Sequence, residues 1–120
     1  MLHRERLVPV PLHQKRLKER GYNQSQLLAR ELGKLVNLPV VDDCLIRQQY
    51  APPQARTSSV EERRSNVANA FICRNHRLQD KQVLLIDDVT TFGATLNACA
   101  SALKTAGATS VWGLVLATEI

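Results

Sequence analysis

The sequence runs to 120 residues, 44% hydrophobic and 22% charged, enough for one soluble domain with one core and too few for two. No apolar run approaches the ~20 residues needed to cross a bilayer, and the opening MLHRERLVPV lacks the apolar stretch of a secretory signal, so a cytoplasmic protein is expected. The net charge of +5 is uneven: residues 1–24 hold Arg4, Arg6, Lys15, Arg16, Lys18 and Arg20 against Glu5 and Glu19, which suits an anionic partner (phosphate, pyrophosphate or nucleic acid) and also a merely solvated basic face.

In chain order, Leu7-Val8-Pro9-Val10-Pro11 reads as a strand whose prolines place it at an edge or at a strand end. A polar, basic loop follows from Leu12 to Tyr22. Asn23 then caps a helix with an apolar stripe of Leu28, Leu32 and Leu35, widened by Leu27 and Val36 and stopped by Asn37 and Pro39. Val40-Val41 and Cys44-Leu45-Ile46 form a second strand region. Residues 47–59 have no period and read as a loop, the one evident lid. The capping-box spacing of Ser59 and Glu62 predicts a short helix to about Val67. Phe71-Ile72-Cys73 is a brief apolar segment before a turn at Asn75–Asp80.

The last third is the clearest. Val83 to Ile86 is a continuous apolar run, expected of a strand buried on both faces. Leu96, Cys99, Leu103 and Ala106 then recur at helical spacing, with Gly107 as the C-terminal cap, and Val111 to Ala117, Trp112 included, reads as another core strand. Strand, helix and strand joined by short links make a βαβ unit. The expected fold is therefore α/β, an open parallel sheet flanked by helices in three layers. Cys44, Cys73 and Cys99 are odd in number and far apart, so their spacing gives neither a zinc cluster nor a disulfide framework. Each reads as a small buried thiol.

Between the buried strand and its helix stands Asp87-Asp88-Val89-Thr90-Thr91-Phe92-Gly93-Ala94-Thr95. Ligands of open parallel sheets bind beyond the carboxyl ends of the strands, where this turn falls. Two adjacent carboxylates repel one another unless solvent or a bound partner separates them; the vicinal hydroxyls of a ribose or a hydrated Mg²⁺ supply one. The hydroxyl-rich, glycine-containing turn at a helix start suits a phosphate dianion. Acids that merely cap a turn and threonines that merely cap a helix are the plainer reading of the same residues.

VLLIDDVTTFGATL resembles the PRPP-binding motif of type I phosphoribosyltransferases. VPVPLHQKRLKERGYNQSQLLA resembles the first strand and following loop of the ComF/GntX family, and Arg56 to Phe71 resembles that family's middle region. The resemblance covers nearly the whole chain and implies one phosphoribosyltransferase-like domain over residues 1–120. It implies Asp87 and Asp88 as the catalytic pair on the ribose hydroxyls. Thr90, Thr91, Gly93, Ala94 and Thr95 would cradle the 5-phosphate, and Lys15, Arg16 and Arg20 would face the pyrophosphate, with Arg63 and Arg64 as weaker candidates. Mg²⁺ would arrive with PRPP, near Asp87 and Asp88, without a direct protein ligand.

The implied reaction is transfer of the phosphoribosyl group to a nitrogen acceptor with release of pyrophosphate. The alternative is a non-catalytic PRPP-binding or accessory protein in competence or the use of external DNA, with a DNA-uptake protein as partner. Direct binding of single-stranded nucleic acid by the basic segment is a third reading, and a homodimer stays open. Phe92 stands where the family pattern has a threonine, and no hood for a base is evident. The family's cysteine-rich zinc module and leading helix do not precede the VPVPLH strand, as expected of a short form or of a piece of a longer chain.

Overall fold

The apolar run that ends in the two acids forms the centre of the sheet. In the computed structural model, which describes residues 4–48, 70–90 and 93–118, strand β4 (Gln82–Thr90) lies between β1 (Glu5–Pro9) and β5 (Ser110–Thr118) and is parallel to both. Val83, Leu85 and Ile86 of β4 are buried, as a strand covered on both faces requires. Pro9 ends β1, the position at which a missing N–H costs no ladder bond.

Helices cover the two faces. Helix α2 (Gln24–Val36) packs on one, where Leu7, Ile86 and Ala29 form a cluster with Leu28, Leu32 and Leu84. Helix α3 (Ala94–Thr105) packs on the other, where Val8, Val83, Leu85, Cys99 and Leu103 share a second cluster with Val111. Fully burying a side chain such as Leu85 or Leu103 contributes about 1.5–3 kcal/mol. Sheet and helices thus make the expected three-layer α/β arrangement. Beside them a short antiparallel pair, β2 (Leu45–Arg47) and β3 (Phe71–Cys73), packs against α3. Val40, expected in a strand, makes one isolated bridge to Leu7.

The caps follow the local chemistry. Asn23 Oδ1 accepts the Ser25 N–H at 3.0 Å, and Asn37 closes α2 in the left-handed region at φ 57°. Gly107 follows α3 at φ 98°, a conformation that glycine adopts without a Cβ penalty.

Three expectations change. The basic loop after β1 contains a helix, α1 (Gln14–Arg20): its residues QKRLKER are good helix formers, His13 Nδ1 accepts the Lys15 N–H at 3.1 Å, and Gly21 ends it. It buries no residue, so no apolar stripe announces it. The inward line of α2 is Ser25, Ala29 and Gly33, flanked by Leu28 and Leu32, whereas Leu35 is 83% exposed and Leu27 and Val36 also face solvent. Close approach explains this: a Cβ on Gly33 would lie 2.9 Å from both the Leu38 carbonyl and Val40 Cγ2. Trp112 is 70% exposed instead of core, because α2 covers β1 and β4 on its face of the sheet and leaves that face of β5 bare.

The cysteines, distant in sequence, converge. Cys44 and Cys99 are fully buried and Cys73 packs against the same cluster. Burial, and after it the Cys44 thiol alongside, pushes the Cys73 thiol up to about 12. The loop expected over 47–59 starts later than expected, since Arg47 belongs to β2; the rest of it from residue 49, and the helix expected to about Val67 with Arg63 and Arg64, lie outside the described residues. Among the described residues, no helix is long and apolar enough to cross a membrane.

Candidate functional site

Parallel pairing brings the carboxyl ends of β1 and β4 together. Pro9 stands opposite Ile86, and the Val10 N–H donates to the Ile86 carbonyl at 2.9 Å, so α1 and the acids emerge from the same edge of the sheet. Asp87 is 8% exposed despite its charge. Its Oδ1 accepts two hydrogen bonds, from Ser25 Oγ at 3.2 Å and from the Asp88 backbone N–H at 3.0 Å. Asp88, the next residue, is half-buried.

Burial pushes the Asp87 carboxyl above the ordinary range, the neighbouring Asp88 adds to that push, and the Ser25 hydroxyl opposes it. The effect reaches α3. Burial raises the Cys99 thiol first, then the charge of Asp87 does so, while Arg47 acts the other way. Asp87 and Arg47 are both near enough to Cys99, in the second turn of α3, to act on its thiol. The Arg47 guanidinium lies 5.4 Å from the centre of the Phe71 ring, and its Nε is buried without a hydrogen-bond partner among the described residues.

Helix α3 starts shortly after β4 in the chain. Gly93 is its N-cap residue at φ 71°, and no side chain caps the helix there. A Cβ at Gly93 would meet nothing within 4 Å, and the first turn of α3 carries no acid, so no built-in negative charge opposes an anion at the positive end of the helix. Thr90 ends β4, Ala94 opens α3 and Thr95 is half-buried in its first turn; Thr91, like Phe92, lies outside the described residues. Lys15, Arg16 and Arg20 are exposed on α1, beyond the end of β1.

The structure thus brings Asp87, Asp88, Thr90, Gly93, Ala94 and Thr95 to one strand end, with the three basic residues on the neighbouring segment. Sequence reasoning missed Ser25 and Arg47. Ser25 had a signal, a polar residue i−4 from Ala29 on what proved to be the buried line of α2. Arg47 had none. A cleft of about 840 Å³ between β3 and the C-terminal half of α3, lined by Arg74, His76, Ser101 and Thr105, lies at the other end of that helix from the acids.

The chain is 36% identical to "Competence protein F" of Haemophilus influenzae, over 94% of this chain and 51% of that protein. It is 33% identical to "Competence protein ComFC" of Bacillus subtilis, over 84% of this chain and 39% of that one, and 33% identical to "DNA utilization protein YhgH" of Escherichia coli K12, over 89% and 46%. The chain spans about half the length of the curated relatives it matches. No family model matches.

Among solved structures, the allosteric regulatory enzyme of purine biosynthesis superposes with a TM-score of 0.62 at 20% identity, over 93% of this chain and 22% of that one. The purine phosphoribosyltransferase of Pyrococcus horikoshii superposes at 0.56 and 17%, over 93% and 60%. At such identities the likeness is one of fold.

Proposed function

Because this chain is a homologue of the competence protein F, ComFC and YhgH proteins over most of its own length, and carries the fold of type I phosphoribosyltransferases, we propose that it binds PRPP or ribose 5-phosphate at the carboxyl end of β4. The observation that carries this reading is the buried Asp87, held on Oδ1 beside Asp88, with a helix N-terminus one short turn away. Vicinal ribose hydroxyls donate to the two carboxylates and relieve their repulsion, and the 5-phosphate takes the backbone N–H groups of the Thr90–Thr95 turn. Lys15, Arg16 and Arg20 on α1 meet the pyrophosphate.

Mg²⁺ would enter with PRPP near Asp87 and Asp88, whose carboxylate oxygens are hard donors suited to its hydration shell. When bound, it would neutralise charge on the leaving group. In the transfer reading, a nitrogen nucleophile forms the new bond at C1 as the C1–O bond to pyrophosphate breaks. The leaving oxygen keeps the electron pair, and the nitrogen sheds its proton to solvent. The Asp87 and Asp88 carboxylates fix the ring and favour its oxocarbenium-like charge in the transition state.

The relatives' names, competence and DNA utilisation, favour a second reading, in which the site binds PRPP without turnover and the domain serves as an accessory protein. Calorimetry with PRPP and Mg²⁺, followed by pyrophosphate-release assays across a panel of bases, separates the two: binding with turnover identifies the transferase and binding without it the accessory protein. Replacing both acids, Asp87→Asn with Asp88→Asn, is expected to lower PRPP affinity at least a hundredfold with the fold intact by circular dichroism, since two charge-assisted bonds worth about 1.5–3 kcal/mol each are lost. Unchanged affinity sinks the assignment.

A further inference from the structure

A chain of hydrogen bonds closes a circuit around the first acid. The Val10 N–H donates to the Ile86 carbonyl at 2.9 Å, and Asn23 Nδ2 donates to the Val10 carbonyl at 3.1 Å. Asn23 Oδ1 then accepts the Ser25 N–H at 3.0 Å, and Ser25 Oγ donates to Asp87 Oδ1 at 3.2 Å. The circuit leaves β4 at Ile86 and returns to it one residue later, through the end of β1 and the start of α2. Ser25 is 3% exposed, so water does not replace its hydroxyl easily.

A helix that needed only to pack at this point would be served by alanine, which stands four residues on at Ala29 on the same buried line. A serine there instead spends a buried donor on one carboxylate oxygen. That oxygen also takes the Asp88 N–H, so two donors from different elements fix the plane of the carboxylate.

Resting on the reading of this site as a ribose-phosphate site, we propose that Ser25 is a positioning residue for sugar recognition: its hydroxyl holds Asp87 Oδ1, which turns Oδ2 toward the ribose hydroxyls. Asn23 is its anchor. By capping α2 with one amide atom and gripping Val10 with the other, it ties the start of α2 to the end of β1. The basic segment that meets the pyrophosphate and the acid that meets the ribose are thereby held by one frame, the segment between Val10 and Asn23, 13 positions apart, closing on itself. A carboxylate fixed in this way loses less rotational freedom when the sugar binds.

The test uses the full chain with PRPP and Mg²⁺ as the probe. Ser25→Ala is expected to weaken binding about tenfold, the worth of one hydrogen bond to a charged group, while the melting temperature stays within a few degrees. Ser25→Thr, which restores a hydroxyl at the same place, is expected to recover most of the affinity. In a ligand-free crystal of Ser25→Ala, the Asp87 carboxylate is expected to have turned from its orientation in the parent chain.

Parent-like affinity in Ser25→Ala overturns the proposal. So does a loss that tracks the melting temperature and is not recovered by threonine, since that marks a packing role. A parent chain that fails to bind PRPP defeats the ribose-phosphate reading by itself. The crystal comparison then decides the positioning role alone: a turned carboxylate upholds it and an unmoved one overturns it.

Discussion

Asp87 is where stability and ligand binding oppose each other. Its carboxyl is pushed above the ordinary range by burial and then by Asp88, so the folded state holds that proton more tightly than the unfolded chain does. A raised folded value contributes stability below the unfolded carboxyl range, and the contribution is lost as pH rises through the folded value. Near neutral pH the ionised group therefore costs stability. Asp87→Asn removes the cost, keeps an oxygen for Ser25 and the Asp88 N–H, and offers Asp88 an amide donor in place of a charge. The expected outcome is a melting temperature raised by about 3 °C at pH 7, a gain that shrinks toward zero as pH falls below the carboxyl range. Melts of the two chains across pH check it, and a gain that grows in acid contradicts the assigned direction. The acid pair was legible in the sequence because it interrupts an apolar run, whereas Ser25, its partner 62 positions away, was visible only once α2 had been laid on the sheet.

Elements whose signals are local were read correctly, and those set by packing were not. The Asn23 cap, the Gly107 stop and the β4–α3–β5 unit each follow from residues within a few positions of one another. Helix α1 escaped because a seven-residue helix with no buried side chain has no periodic apolar face. The inward face of α2 escaped because its leucines advertise one stripe while the sheet accepts another, built of small residues. Gly33 is the point of closest approach. A Cβ there meets the Leu38 carbonyl at 2.9 Å, and backbone cannot swing aside as a flexible side chain can. Gly33→Ala gains about 1 kcal/mol of helix propensity and incurs about 1–3 kcal/mol of overpacking, so a net loss of about 1 kcal/mol is expected. Chemical denaturation measures it. A stabilised variant would mean that α2 stands farther from β1 and Val40 than described.

At the scale of the whole molecule, the sheet is covered unequally. Helix α3 reaches β5, where Leu96 Cδ1 comes to 3.6 Å from the position of a Cβ on Gly113. On the opposite face α2 stops at β1 and β4, and the β5 residues in register with Leu84 and Ile86, namely Trp112 and Leu114, are left facing solvent. An apolar strand pattern cannot tell a sequence reader how far the neighbouring helix extends, so Trp112 was taken for core. The same blindness to tertiary layout hid the meeting of Cys44, Cys73 and Cys99, which come from three separate elements or loops. Trp112 is the chain's single tryptophan, which gives this asymmetry a direct optical readout. Its emission is expected to match that of a fully hydrated indole, with acrylamide and iodide quenching it nearly as fast as they quench a free tryptophan amide. Trp112→Ser is expected to change folding stability by less than about 0.5 kcal/mol, as at other exposed positions. A blue-shifted, shielded emission at a concentration where the chain sediments as a monomer would place Trp112 inside the fold and break the account of how α2 lies across the sheet.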